Sequence, residues 1–152
     1  MKKATLLLLG AICLLCASCE KEETDPRDAV VGRYNFTQTG SATIAGLGMI
    51  SLDDTGTFTI SKNTSTTTGL YIDGRNFVPN SAWIAGTNTL CLGDATGTYT
   101  VNGIPFKYTV AFSPCQVHEK TFTVLGTITG SGSYGGTTYS GSGTISITAT
   151  SK

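Results

Sequence analysis

From residue 29 onward, apolar and polar residues alternate with a period of two, in short runs separated by Gly, Asn and Asp. No window beyond residue 18 repeats apolar residues at helical spacing. Alternation of this period sends successive side chains to opposite faces, so each run reads as a strand of an antiparallel sheet. The run GTYTVNGIPFKYTVAF is the most informative, because Asn102-Gly103 is the dipeptide preferred in a two-residue type I′ loop. That loop pairs Val101 with Ile104 and Tyr99 with Phe106. Val101, Tyr99, Ile104, Phe106, Tyr108, Val110 and Phe112 then share a core face, and Thr98, Thr100, Lys107 and Thr109 share the wet one.

Other hairpins are read the same way. In GMISLDDTGTFTISK, Asp54-Thr55-Gly56 reads as a three-residue loop with Gly56 at its left-handed position, so that Leu52 faces Phe58 and Ile50 faces Ile60. In GLYIDGRNFV, Asp73-Gly74 sets Leu70 opposite Phe77. The C-terminal segment reads as one long ribbon folded at Gly135-Gly136. It pairs Val124 with Ile147, Phe122 with Ala149 and Gly132 with Tyr139, whose ring would cover the glycine. Gly126, Gly130, Gly132, Gly141 and Gly143 would weaken a flat sheet but permit the sharp coil of a barrel. Adding VGRYNFTQ and TNTLCLG brings the count to about eight to ten strands, and short connections in chain order favour an all-β, antiparallel up-and-down barrel.

The N-terminus follows a different pattern. Lys2 and Lys3 precede the apolar run Leu6 to Leu15, then the small residues Ala17 and Ser18, then Cys19. A charged start and an apolar stretch of about ten residues fit a secretory signal and fall short of the ~20 needed to span a bilayer. LCASC resembles a bacterial lipobox, with Cys16 where Leu is usual; the resemblance implies cleavage after residue 18 and acylation of Cys19. Cys13 and Cys16 have CxxC spacing, but they lie in an apolar segment without a second ligand pair. Residues 19–28 then read as a lipid-anchored acidic tether, too polar to bury a core, and residues 29–152 as the barrel domain. Within the tether Lys21, Glu22 and Glu23 resemble the export signal of surface lipoproteins in Bacteroidetes-type bacteria. The resemblance implies an outer-membrane location facing the cell surface, the periplasmic face being the other reading.

Charge narrows the function classes. The chain has ten basic and ten acidic residues, but five of the acidic ones lie between Glu20 and Asp28, which leaves a near-neutral body. Basic residues are too few and scattered for nucleic acid. Asp53, Asp54, Asp73 and Asp94 sit at expected turns, where Asp caps its own backbone. No cluster suggests a metal site, a cofactor or a catalytic pair, and the chain reads as a non-enzyme. His118, the only histidine, lies close to Cys115 in PCQVHEK and reads as a polar loop residue. Cys91 and Cys115 could close a loop of about two dozen residues, which adds ~3 kcal/mol in the chain-entropy model. Equally, Cys91 could pack as a small hydrophobe.

DPRDAVVGRYNF, DGRNFVPN and YSGSGTISI resemble small lipocalin-like (calycin-type) lipoproteins of the same bacteria. The resemblance implies a barrel with an internal cavity and transfers no catalytic residue. A small apolar or amphipathic ligand in the barrel mouth is then the expected function. Trp83, Tyr99, Phe106, Tyr108 and Phe112 are the candidates to line the cavity. The alternative is a surface interaction or structural protein whose barrel is filled by its own side chains, such as an adhesin, a glycan-complex accessory subunit or an enzyme inhibitor. The membrane would be a partner through the lipid anchor only.

Overall fold

The computed structural model describes residues 24–74, 79 and 81–152. The signal segment, Cys19, Lys21, Glu22, Glu23 and Phe77 lie outside the described residues. Among the described residues the chain forms eleven strands and no α-helix. The strands are β1 (Gly32–Ile44), β2 (Gly48–Ser51), β3 (Asp54–Lys62), β4 (Gly69–Gly74), β5 (Ala82–Ala85), β6 (Thr89–Leu92), β7 (Ala95–Val101), β8 (Ile104–Phe112), β9 (Cys115–Gln116), β10 (Thr121–Tyr134) and β11 (Thr137–Ser151). All belong to one antiparallel sheet in the order β7-β8-β10-β11-β1-β3-β4-β5-β6-β9, with β2 also on β1. The order is that of an up-and-down meander that brings the last strand back beside the first. This all-β sheet curls into a half-barrel, consistent with a lipocalin-like barrel. The curl stays open because both edges of β6 are taken, one by β5 and the other by β9, so β7 cannot pair with β6.

The best-patterned runs fold as read. Val101 pairs with Ile104 and Tyr99 with Phe106, around Asn102 and Gly103 at φ 49° and 80°. The β10–β11 ribbon turns at Gly135-Gly136 and pairs Val124 with Ile147, Phe122 with Ala149 and Gly132 with Tyr139. What covers Gly132 differs, however: the Phe106 ring from β8 lies over it. The Tyr139 ring packs instead against Phe106, with centroids 6.5 Å apart.

Two hairpin readings are corrected. Asp54-Thr55-Gly56 is not a loop but the start of β3, where Gly56 pairs with Phe36 of β1. The reversal occurs earlier, at Ala45-Gly46-Leu47, and returns β2 along β1, with Gly46 and Gly48 at φ 80° and 93°. Leu52 therefore does not face Phe58, nor Ile50 Ile60; Ile50 pairs with Ala42, and Phe58 and Ile60 with Tyr34 and Gly32. Asp73-Gly74 likewise lies inside β4, paired with Thr59 and Phe58, and Leu70 lies opposite Ala82. Gly56 and Gly74 are needed for room and not for left-handed backbone. A Cβ on either would stand 2.8 Å from the side chain of its aromatic partner, Phe36 or Phe58.

Two apolar clusters fill the curl. The larger is centred on fully buried Tyr34, whose ring stacks on Phe58 at 5.4 Å and tilts against Phe122 at 5.2 Å. The Tyr34 hydroxyl donates to the Val30 carbonyl at 2.7 Å, and burial pushes its pKa up to about 12. The smaller cluster, Ile44, Val101, Ile104 and Phe106, lies at the other end of the long strands.

The stretch Glu20–Asp28, expected to stay unfolded, is ordered at its C-terminal end. Asp25 caps a short 3-10 turn, Pro26–Ala29, by accepting from the Arg27 N–H. The Arg27 guanidinium also grips Asp25 and donates to the carbonyls of Asn63 and Thr66, 2.9 and 2.7 Å away. Lys62 pairs with Asp25 at 2.9 Å and Asp28 at 2.7 Å. Charge thus docks this segment where apolar burial cannot.

Two outcomes are expected. Gly126→Ala would put a Cβ 2.8 Å from Val110 and 3.0 Å from Phe112. Overpacking of this kind costs about 1–3 kcal/mol, measurable by denaturant unfolding. The second concerns acid. The Arg27 side chain, then Lys62, holds the Asp25 carboxyl well below the usual carboxylate range. A depressed carboxylate contributes stability that is present above its unfolded value, about 3.9, and is lost as pH falls through the folded one. Unfolding free energy should therefore fall below pH ~4, and Asp25→Asn should flatten part of that slope; an unchanged slope would refute the clamp.

Candidate functional site

Between the two clusters the half-barrel holds an open cavity of about 680 Å³. Its walls come from two kinds of strand surface. β1, β8, β10 and β11 offer alternate residues, such as Ala42 and Ile44, Phe106 and Tyr108, and Ile128 and Gly130, so they present a face. Residues 50–54 and 95–99 all contribute without a gap, so these segments border the mouth edge-on. The edges belong to β2 with the start of β3, and to β7, which pairs only with β8. The hollow therefore sits where the sheet fails to close.

The floor is apolar, with Ile44, Leu52, Val101, Val110 and Ile145 among its residues, and the mouth is polar. Gln38 donates to the Leu52 carbonyl at 2.5 Å, which fixes the chain between β2 and β3. There Asp53 accepts from the Ser51 hydroxyl at 2.8 Å and the Gly40 N–H at 3.1 Å, and these bonds hold its carboxyl below the ordinary range. Asp54 accepts from the Thr55 N–H at 2.8 Å. Two adjacent carboxylates thus stand at the mouth, and among the described residues that line the cavity there is no Lys, Arg or His. On the opposite rim Gly97 leaves space for the Tyr108 hydroxyl; a Cβ there would be 2.5 Å from it.

The structure divides the candidate lining residues. Tyr99, Phe106 and Tyr108 line the cavity. Phe112 does not; it packs against the larger cluster beside Gly126. Trp83 is absent from the cavity as well. It is 40% exposed on the outer face of β5, across from Gly69 and Cys91. Sequence reasoning missed Gln38, Asp53 and Asp54, because the Asp-Asp pair resembled a turn; the apolar Leu52 before it was the available signal that this segment continues a strand.

Cys91 and Cys115 are both free. Cys115 pairs with Leu90, so it shares the inward leucine face, whereas Cys91 is one residue out of step and points the other way. Cys91 is buried and packs as the small hydrophobe that was the other reading. Burial, then Cys91, pushes the Cys115 thiol up to about 11, the opposite of an activated nucleophile. His118 is exposed where the chain turns from β9 into β10, exchanging backbone hydrogen bonds with Thr121. Among the described residues, no three His, Cys, Asp or Glu side chains gather as metal ligands.

Fold and cavity together define an open antiparallel half-barrel with an apolar hollow and an acidic mouth. Compared with protein-family models, curated proteins and solved structures, the chain finds no match in any of the three.

Differential alkylation and mass spectrometry of protein made in an oxidising compartment should find Cys91 and Cys115 both reduced. A Cys91–Cys115 cross-linked peptide would contradict the register of β6 with β9.

Proposed function

We propose that this protein is an exported, lipid-anchored bacterial surface protein that holds a small apolar or amphipathic molecule in its hollow pole. One observation carries the binding reading: a cavity of about 680 Å³ lies beside a pole packed solid by its own aromatic rings. That volume falls within the ~300–1,000 Å³ of small-molecule sites, and apolar walls with a few polar groups at the mouth are their usual composition. A barrel filled from end to end would have favoured the surface-interaction reading instead. The lipid anchor and surface location rest on the N-terminal sequence: the apolar run, Ala17-Ser18-Cys19, and Lys21-Glu22-Glu23.

The strand geometry suits this arrangement. β1 starts beside the Asp25–Arg27 clamp and ends at Ile44 in the cavity wall. The Asp53–Asp54 rim stands beside Gln38 and Gly40, six to eight residues along β1, which at ~3.3 Å per residue puts the mouth about 20–25 Å from the clamped start of the strand.

Native mass spectrometry of residues 24–152 purified from the natural host should show a co-purifying small molecule. Ile128→Trp, which puts an indole into the hollow, should weaken or lose that mass while the variant keeps the parent's circular-dichroism spectrum. A clean unliganded mass for the parent would overturn the binding reading. Protease treatment of intact cells tests the location separately: protection until the outer membrane is broken would sink the surface assignment.

A further inference from the structure

We propose that Tyr108 is the polar anchor of the hollow, its hydroxyl donating a hydrogen bond to an oxygen acceptor on the ligand. The bound molecule would then be an oxygenated apolar one, carrying a carbonyl or ether oxygen, and not a bare hydrocarbon. The inference rests on the binding reading above and refines it.

Strand register explains how the ring is placed. Gly97 of β7, Tyr108 of β8, Gly130 of β10, Gly141 of β11 and Ile44 of β1 pair in turn, forming one row across the concave face. All five line the cavity, and Tyr108 alone among them carries a polar side-chain atom. It has a glycine on each side. Gly130 makes room for its Cβ, which lies 3.2 Å from where a Cβ on that glycine would stand. The ring leans the other way, over Gly97, with Cζ 2.7 Å and the hydroxyl 2.5 Å from the corresponding point. The hydroxyl is thus carried to the edge strand, at the lip of the hollow. On the same face Ala95 and Tyr99 flank Gly97, and Phe106 and Val110 flank Tyr108. Ala95, Phe106 and Val110 are buried, so the hydroxyl has mainly apolar surroundings.

Two tyrosines of the concave face differ in how their hydroxyls are satisfied. That of Tyr34 donates to the Val30 carbonyl at 2.7 Å. Among the described residues no group hydrogen-bonds the hydroxyl of half-buried Tyr108. A tyrosine hydroxyl drawn away from bulk water usually keeps a partner, and in the unliganded hollow that partner is water. A ligand that fills the hollow displaces this water. An apolar group leaves the donor unpaired, whereas an oxygen acceptor restores the bond. The same asymmetry lets a site built to hydrogen-bond its ligand reject an analogue lacking the one atom.

The test is calorimetric titration of the purified protein with acetylnaphthalene and isopropenylnaphthalene, substituted at the same ring position. The two share a planar shape and differ by an oxygen in place of a methylene. Tyr108→Phe removes only the hydroxyl. It should weaken the ketone about fivefold, the size of one neutral hydrogen bond, and leave the hydrocarbon unchanged. The infrared carbonyl band of the bound ketone should lie at lower frequency in the parent than in the variant, a shift that a mere packing role would not produce. Equal effects on both probes, or an unshifted band, would overturn the anchor and leave the binding reading standing. Binding of neither probe to the parent would count against the hollow as a ligand site, and the anchor would fall with it.

Discussion

The fold depends on glycines placed across from aromatic rings. The Phe36 ring lies against Gly56, Phe106 against Gly132, Phe112 against Gly126 and Tyr108 against Gly97, while Gly74 and Gly130 make room for the Cβ of Phe58 and Tyr108. Each pair lets a bulky aromatic residue pack closely against the neighbouring strand where a Cβ would collide with it. A half-barrel this narrow could not otherwise take Tyr34, Phe36, Phe58 and Phe122 on one inner face, within 5–7 Å of one another. The ring recovers contact that the missing side chain gives up, which is the stabilising role of an aromatic over a cross-strand glycine. Register follows from this, because a slip by one residue would set every ring against a Cβ and turn it to the wet face.

Where the glycine–aromatic pairs are dense the barrel is solid, and where strand pairing runs out it is hollow. β9 is only two residues long, yet by taking the second edge of β6 it denies that edge to β7. β7 then ends the sheet, and its edge faces the rim of residues 50–54 across the cavity. A topological detail on one side of the molecule thus opens the mouth on another. The place of Asp53 follows from a local need: where β2 gives way to β3 the Gly40 carbonyl accepts the Leu52 N–H, and the Asp53 carboxylate accepts the Gly40 N–H.

How much of this could be read from the chain depended on whether one signal had one meaning. Asn102-Gly103 and Gly135-Gly136 were legible because both residues of each turn must take positive φ, and the flanking alternation agreed with the turn. Asp54-Thr55-Gly56 and Asp73-Gly74 carry the same letters for another reason. Their glycines make room for Phe36 and Phe58, and only the non-local pairing of β1 with β3 and β3 with β4 reveals those partners. Tyr99, Phe106 and Tyr108 were found because alternation alone puts them on the concave face, although Tyr99 stays half exposed at the rim. Trp83 was misplaced because its size suggested the interior, whereas its pairing with Gly69 and Cys91 puts it outside, above a buried thiol. The acidic stretch before the barrel misled in the opposite direction, since its composition does not show that Arg27 and Lys62 would hold its last residues.

The hollow also constrains how the protein can exist without a ligand. Packing defects cost about 24 cal/mol per Å³ of unfilled volume, so a dry void of this size would cost roughly 16 kcal/mol. That exceeds the ~5–15 kcal/mol total stability of an ordinary domain. The cavity must therefore be filled with water when no ligand is present, and the open edge between β7 and residues 50–54 admits it. Water against Ile44, Val101, Phe106 and Ile128 would find few hydrogen-bonding partners, whereas the polar groups of the mouth can bond it. The opposite pole, packed solid around Tyr34, leaves no such volume for water.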